Sequence, residues 1–427
     1  MRHPFGYLRI LATTAPLAAA AAAALAPPAL AFDLLQGLSN IAGQQFAVPR
    51  PAPGGIPAFR VALVLPERGA LREAASRMRA GWRIAAAVAD GYVAERPIEI
   101  VEIDSSLPQK ALMDRVRRAS EIAPIDVYAG VIGARTAELL AVHTQRENRP
   151  LILAGAVGDD ALARTCRPHV ARTSFAIGSY LSTSGRYLAG KYDTVVSLAP
   201  EGEGSYAMMR KFTDAYRAGG GRIVEQIWVP DTQRYDWSSM LARATQAGPK
   251  MIYAFFEDRN AERIVYQHST ALAEGGPALT GPEWLFGPRS LIRRGRHADG
   301  ARFLTTHLPA LPLPANRLFV DAYRADSGHD PDLYAYMGYE NGLAVLLAAA
   351  ELHGQVHDAG AFVNAMKKVA YDGLMPRGEF VFDETNSAVL LRAYWVEAAF
   401  NGGEARLRQL EAIPVETPRD VCGKPRR

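Results

Sequence analysis

The last third of this 427-residue chain contains, in this order, Phe319-Val320-Asp321-Ala322-Tyr323, Asp330-Pro331, Tyr339-Glu340-Asn341-Gly342 and Gly378-Glu379-Phe380-Val381-Phe382-Asp383. Turn-forming glycines divide this region, which predicts three helices and then two strands at residues 379–382 and 389–396. Each motif is loose by itself. The information lies in their fixed order.

Upstream of these motifs, short β-branched or apolar runs alternate with amphipathic helical stretches. Strands are predicted at residues 59–65, 98–103, 126–129, 151–153, 194–198, 222–228 and 251–256. Regular alternation of strands and helices is typical of parallel sheets covered by helices on both faces. We therefore predict an α/β fold of two doubly wound parallel-sheet lobes.

The N-terminus has the layout of a cleavable secretory signal. Arg2 and Arg9 precede an Ala-rich apolar run at residues 11–26. Pro27-Pro28 and the small-residue site Ala29-Leu30-Ala31 follow it. No cysteine follows that site, which predicts a protein without a lipid anchor. We expect residues 1–31 to be removed and residues 32–57, rich in Gly, Pro and Ala, to form a leader before the first lobe.

Composition and charge exclude several classes of protein. The net charge is only +4, and the basic residues are scattered, which predicts no nucleic-acid partner. No later apolar run reaches the roughly 18 residues that a membrane-spanning helix needs.

Enzyme motifs such as Gly-x-Ser-x-Gly, His-Glu-x-x-His and the Walker loop are absent, so we predict no catalysis, metal or cofactor. Gly202-x-Gly204-x-x-Ala207 matches the dinucleotide-binding pattern weakly. However, Glu201 and Glu203 would place two carboxylates beside a pyrophosphate.

The chain has two cysteines, Cys166 and Cys422. In an oxidising compartment a pair of thiols tends to join, so one interpretation is a disulfide that ties the C-terminal tail to the loop after the fourth predicted strand. The other interpretation is two free thiols. Their spacing does not resemble a zinc site.

The ordered motifs, together with the alternation before them, resemble receptors of the branched-chain amino acid type, which are solute-binding proteins of ABC importers. The resemblance covers residues 59–402 and implies the type I periplasmic binding fold, with lobes joined by a hinge of several crossovers. It implies lobe 1 at residues 58–174 and 305–384, lobe 2 at 175–304 and 385–410, and a tail at 411–427. It further implies a monomeric periplasmic receptor that closes on a small solute, delivers it to a membrane permease and catalyses nothing.

In lobe 1 the resemblance implies a site for a ligand carboxylate, in the loops after the third and fourth predicted strands. The first loop has Ala134 at the family's serine position, followed by Arg135 and Thr136. The second has Ala154-Gly155-Ala156 where the family has Ser or Thr, and alanine has no side-chain donor. Arg135 either supplies a bidentate guanidinium instead or is a solvated residue of a first helical turn.

In lobe 2, Gly281-Pro282-Glu283-Trp284 resembles the segment from which leucine-type receptors present an acidic residue to the ligand ammonium. Glu283 is thus the candidate for amine recognition, against the alternative of an exposed turn residue. Trp284 either covers a ligand group or packs between helices. Gly204 stands at the family's tyrosine position, and Tyr206, two residues later, is a candidate to replace that tyrosine. Glu257 is a further candidate, against the alternative of a solvated residue.

Two functional hypotheses follow. The first is an importer receptor for an amino acid or a related carboxylate or amide. The second is an envelope protein of the same fold that acts through protein partners, as a regulator or synthase activator, without transport. The missing hydroxyl after the fourth strand favours the second hypothesis, whereas the Glu283 segment and the absence of a lipidation cysteine favour the first.

Overall fold

A computed structural model describes residues 55–69, 71–155, 167–230, 237–271, 275–287, 291, 295–383, 387–401 and 404–415. The first sheet has six strands in the order β2-β3-β1-β4-β5-β6. Their bounds are β1 (Phe59–Leu65), β2 (Tyr92–Val93), β3 (Arg96–Asp104), β4 (Val127–Gly130), β5 (Leu151–Leu153) and β6 (Val170–Arg172). All neighbours are parallel except β2 and β3, so the carboxyl ends of five strands meet at one edge.

The second sheet has four parallel strands in the order β10-β9-β7-β8. They are β7 (Thr194–Pro200), β8 (Arg222–Val229), β9 (Met251–Ala254) and β10 (Ala278–Thr280). An antiparallel sheet of β11 (Arg302–Thr305), β14 (Arg392–Asn401) and β15 (Glu404–Pro414) shares its hydrophobic core, and a two-stranded ribbon joins β12 (Val381–Phe382) to β13 (Val389–Leu390).

Ten α-helices cover these sheets within the described residues. They are α1 (Arg72–Val88), α2 (Gln109–Ile122), α3 (Ala134–Glu147), α4 (Ile177–Ala189), α5 (Glu203–Ala218), α6 (Trp237–Gln246), α7 (Asp258–Ala271), α8 (Pro314–Ser327), α9 (Leu333–Glu351) and α10 (Ala359–Lys368). None of them is long and apolar enough to cross a bilayer.

The predicted α/β class with two parallel sheets is confirmed. The structure adds β2, β6, β10 and β15, which the sequence pattern did not predict, and it divides the predicted strand at 389–396 between β13 and β14. Strands β2, β6 and β10 offer too few residues for a period of two to be visible. In β15 most side chains are exposed and charged residues recur, which imitates a polar tail.

Helix α9 forms the centre of the first core. Its backbone lies directly against that of α1, since a side chain on Gly338 would collide with the Met78 backbone. Gly342 faces α1 as well, since an added side chain there would meet Ala85 and Trp82, so glycines stand on both sides of Tyr339-Glu340-Asn341.

Asn341 fixes α9 to the carboxyl edge of the first sheet. Its Oδ1 accepts hydrogen bonds from the indole of Trp82 (2.9 Å) and the amide of Gly130 (3.2 Å). Its Nδ2 donates to the carbonyl of Ile152 (3.3 Å) and the hydroxyl of Thr173 (2.9 Å). One buried amide therefore joins α1, α9, β4, β5 and the segment after β6.

Replacing Asn341 by Ala should lower the free energy of unfolding by about 3 kcal/mol, because each buried polar group left unpaired costs roughly 1–3 kcal/mol. Urea titration followed by circular dichroism measures the loss. Arg83→Ala is the control, since Arg83 makes an exposed ion pair with Asp326 that should contribute less than about 1 kcal/mol. A loss for Asn341→Ala no larger than that of the control would contradict this role.

Candidate functional site

The loop after β4 leaves the sheet in an unusual backbone conformation. Gly130 has φ +86° and the following Val131 has φ +62°, a region that β-branched residues rarely adopt. The Val131 amide donates to the carbonyl of Val64 (2.9 Å), and its carbonyl accepts from Gly155 (3.1 Å). Backbone strain of this kind is held by neighbouring structure and is often found at binding sites.

This turn delivers the chain to the start of α3, where three predicted ligand residues lie. Ala134 and Arg135 are exposed, and Thr136 is half-buried. Gly133, the residue before the helix, provides no side-chain cap, so the first-turn amides are not capped from within the helix end. The Arg135 guanidinium donates to Gln109 on α2 (3.2 Å).

The loop after β5 packs tightly beneath this turn. Ala154 and Gly155 are buried, and a side chain on Gly155 would come within 2.9 Å of the Ile132 Cα. Ala156, the third predicted residue of this loop, lies outside the described residues, as do Cys166, Cys422 and the predicted signal and leader up to residue 54.

The predicted residues near the second sheet differ in how far they are buried. Gly204, Tyr206 and Glu257 are exposed. The Tyr206 ring packs edge-on against Trp228, with 4.3 Å between the centroids. Trp284 is half-buried beside Tyr180, and its indole N–H is buried with no hydrogen-bond partner in the part of the chain that the structure describes.

Glu283 is buried, with 1% of its surface exposed, in a short 3₁₀ turn after β10. Its Oε2 accepts from the Thr305 hydroxyl (3.0 Å) and the Thr306 amide (2.8 Å), and it lies 2.9 Å from His307 Nδ1. Its Oε1 accepts from the Thr306 hydroxyl (3.0 Å). These partners are the last residue of β11 and the two residues that follow it.

A second buried ion pair extends this arrangement. The Arg377 guanidinium, 3% exposed, donates to the Glu340 carboxylate on α9 (2.9 and 3.0 Å) and to the Thr306 hydroxyl (3.3 Å). Thr306 thus connects Arg377 with Glu283. We call the group of Glu283, Thr305, Thr306, His307, Glu340 and Arg377 the crossing network.

The crossing network determines the charge state of Glu283. Burial alone would raise the pKa of its carboxyl, because the charged form loses solvation. The hydrogen bond and charge of His307, the Thr306 amide and the charge of Arg377 outweigh burial and hold the pKa below its ordinary value of 4.5. Glu283 is therefore an anion whose oxygens are occupied by protein donors.

Tyr180 completes the connection between α4 and this region. Its hydroxyl donates to the Leu304 carbonyl (2.8 Å) and accepts from the Glu283 amide (3.0 Å).

Within the described residues no group of three or more His, Cys, Asp and Glu side chains is placed to hold a metal ion.

A sequence profile described as periplasmic binding protein matches residues 58–404. The chain belongs to this family. A search of curated proteins finds no significant match.

Solved structures share the fold of this periplasmic binding protein. A solute-binding protein of an ABC transporter from R. palustris, in complex with benzoate, is 24% identical with a TM-score of 0.74, over 86% of this chain and 99% of that one. Another, from Rhodopseudomonas palustris BisB5 with 3,4-dihydroxybenzoic acid, is 22% identical with a TM-score of 0.75, over 84% and 98%. A leucine-binding protein from Thermotoga maritima is 18% identical with a TM-score of 0.68, over 84% and 99%.

The sequence singled out Glu283 but not its partners in this periplasmic binding protein. No pattern in the sequence marks His307 or Arg377 as its partners. The one available signal was the Glu340-Asn341 pair, because two polar residues inside an otherwise apolar helix indicate buried partners.

The lowered pKa of Glu283 predicts a specific pH dependence. Its charged form stabilises the native state fully above about pH 4.5, and this contribution is lost as the pH falls through the lower native pKa. The difference in free energy of unfolding between the wild type and Glu283→Gln should therefore be largest near pH 7 and shrink below pH 4.5. Urea titrations at several pH values measure it.

The matched control for this experiment is Glu351→Gln, at the exposed end of α9. It should change the free energy of unfolding by less than about 0.5 kcal/mol at each pH. A Glu283→Gln difference that stayed constant from pH 7 to pH 3 would show that the carboxylate charge is not what the crossing network stabilises.

Proposed function

We propose that this protein is a periplasmic receptor of an ABC importer and that its solute is a small organic carboxylate without an ammonium group. In this proposal the solute lies between the carboxyl edges of the two parallel sheets, where loops from both meet. The lobes are those assigned from the sequence, residues 58–174 with 305–384 and residues 175–304 with 385–410. Hinge closure then forms the surface that a permease recognises.

This proposal rests on the hydrogen bonds that already occupy both carboxylate oxygens of Glu283. A ligand ammonium needs an acceptor, and Glu283 is the acidic residue at the position where the leucine-type pattern places one. Its two oxygens already accept from Thr305 and Thr306 and contact His307. Turning them toward an ammonium would leave buried donors unpaired, which costs roughly 1–3 kcal/mol for each group.

The first lobe retains groups that suit a carboxylate. The first-turn amides of α3 carry the positive end of the helix dipole, and Arg135 lies in the same turn. On the opposite side the half-buried Trp284 offers an aromatic face. The benzoate and dihydroxybenzoate in the two similar solute-binding proteins support an aromatic acid in particular.

No catalytic chemistry is proposed, because binding, closure and release account for the arrangement. The protein is expected to work as a monomer in the periplasm after removal of residues 1–31. The alternative, an envelope protein that acts only through protein partners, makes the opposite prediction for the experiment below.

The test compares leucine with carboxylates that have no ammonium group. 4-Methylpentanoate has the carbon skeleton of leucine without its amine, and benzoate adds a ring. We expect both acids to raise the melting temperature and leucine to leave it unchanged. A hundredfold excess over the dissociation constant should stabilise the native state by about 2.7 kcal/mol.

Acetate at the same concentration controls for ionic effects. Stabilisation by leucine but not by 4-methylpentanoate would contradict the proposed solute class and restore Glu283 as an ammonium acceptor. No shift with any of these solutes, amino acids or amides would contradict the receptor function and favour the alternative.

A further inference from the structure

We infer that Trp284 selects acids with an aromatic ring over saturated acids of the same size, and that Tyr180 positions the indole for this contact. The inference rests on the proposed function. Trp284 lies in the 3₁₀ turn Glu283–Phe286 and is half-buried, whereas the other three residues of that turn are at most 2% exposed. An indole held between buried neighbours presents a fixed apolar surface to solvent.

The turn that contains Trp284 lies at the carboxyl edge of the second sheet. It follows Thr280, the last residue of β10. A side chain on Gly281 would collide with the carbonyl of Ala254, the last residue of the neighbouring strand β9. Ligands of parallel α/β sheets bind outside this edge, so Trp284 lies on the side of the sheet where the proposed solute binds.

Three aromatic rings connect the carboxyl edges of the two sheets. Phe175 comes three residues after β6 of the first sheet, and its ring centroid is 5.3 Å from that of Tyr180 on α4. The Tyr180 ring is in turn 6.5 Å from that of Trp284. Phe175 and Tyr180 are buried, so this row reaches solvent at Trp284. Because the row runs from one carboxyl edge to the other, the accessible part of Trp284 borders the space between them.

The polar atom of the indole faces inward. Nε1 of Trp284 is buried, so the accessible part of the side chain consists of carbon. Such a surface offers a solute no hydrogen bond, but it can contact an aromatic ring either offset-stacked or edge-on. These arrangements favour an aromatic ring over a saturated one by about 2- to 10-fold in affinity, beyond the effect of apolar area.

Tyr180 holds the indole in place without reaching the surface itself. Its hydroxyl accepts from the Glu283 amide and donates to the Leu304 carbonyl, which connects the turn with β11. Its ring lies beside the indole at an interplanar angle of 38°. Because Tyr180 is fully buried, it does not contact a solute, and its effect on solute choice passes through Trp284.

Tyr266 provides a matched control, since it is an exposed aromatic residue of the same lobe. Its ring, on α7, packs edge-on against His297 with 4.8 Å between the centroids. His297 borders a cavity beside Ala278, the first residue of β10. Tyr266 is therefore near the amino edge of the second sheet, and Trp284 is at the carboxyl edge.

The test measures dissociation constants for benzoate and cyclohexanecarboxylate by calorimetry at pH 7, where both acids are ionised. We expect the wild type to bind benzoate about 2- to 10-fold more tightly, although the saturated ring offers at least as much apolar surface. Trp284→Leu should bring the ratio of the two constants close to one, and Trp284→Phe should retain part of the preference. Tyr266→Leu should leave the ratio unchanged. The ratio does not depend on the folded fraction, so lost stability cannot imitate this result.

Tyr180→Phe tests the positioning role, because it removes the hydroxyl and keeps the ring. We expect it to lower the preference for benzoate in the wild-type background. Combined with Trp284→Leu it should not change the ratio further, since a positioning residue acts through the indole. A further change in the double variant would contradict this role of Tyr180.

Equal binding of the two acids by the wild type would overturn the inference and leave the proposed function intact. A Trp284→Leu variant that kept the full preference for benzoate would do the same, and would show that Trp284 only packs within its lobe. A wild type that binds neither these acids nor 4-methylpentanoate would overturn both the inference and the proposed function.

Discussion

Two adjacent buried polar residues on α9, Glu340 and Asn341, connect the carboxyl edge of the first sheet with the turn after β10. Asn341 bonds to Trp82, Gly130, Ile152 and Thr173. Glu340 binds Arg377, which reaches Thr306 and, through it, Glu283. Because helix α9 is packed against the backbone of α1, neither residue can move without displacing the core.

A buried ion pair of this kind adds little net stability to a fold. Desolvation of both partners offsets most of their attraction, whereas removal of one partner alone typically costs about 3–5 kcal/mol. The Glu340–Arg377 pair and the Glu283 carboxylate therefore define one geometry more than they add to stability. These contacts connect α9 with the turn after β10, so a displacement of either element must preserve them or replace them together.

The sequence predicted the fold and one member of the crossing network, and the reasons for the limit are physical. Strands β1, β5 and β7 have clear apolar runs, and their positions agree with the structure. In contrast, Arg377 and Glu340 are 37 residues apart, and their pairing depends on how α9 meets the following loop. The left-handed Val131 has no sequence pattern either, since valine normally predicts extended backbone.

Glu283 shows the same limit, because its motif predicts its position in the chain but not the partners of its carboxylate. Gly281-Pro282-Glu283 fixes the backbone position of Glu283, but the residues after β11 decide where its carboxylate points. Two consecutive threonines present three donors to it in this chain, and His307 Nδ1 lies 2.9 Å away, which satisfies the anion internally. In this chain an ammonium could reach the Glu283 carboxylate only if residues 305–307 released it, so these residues bear on ammonium recognition as much as residue 283 does.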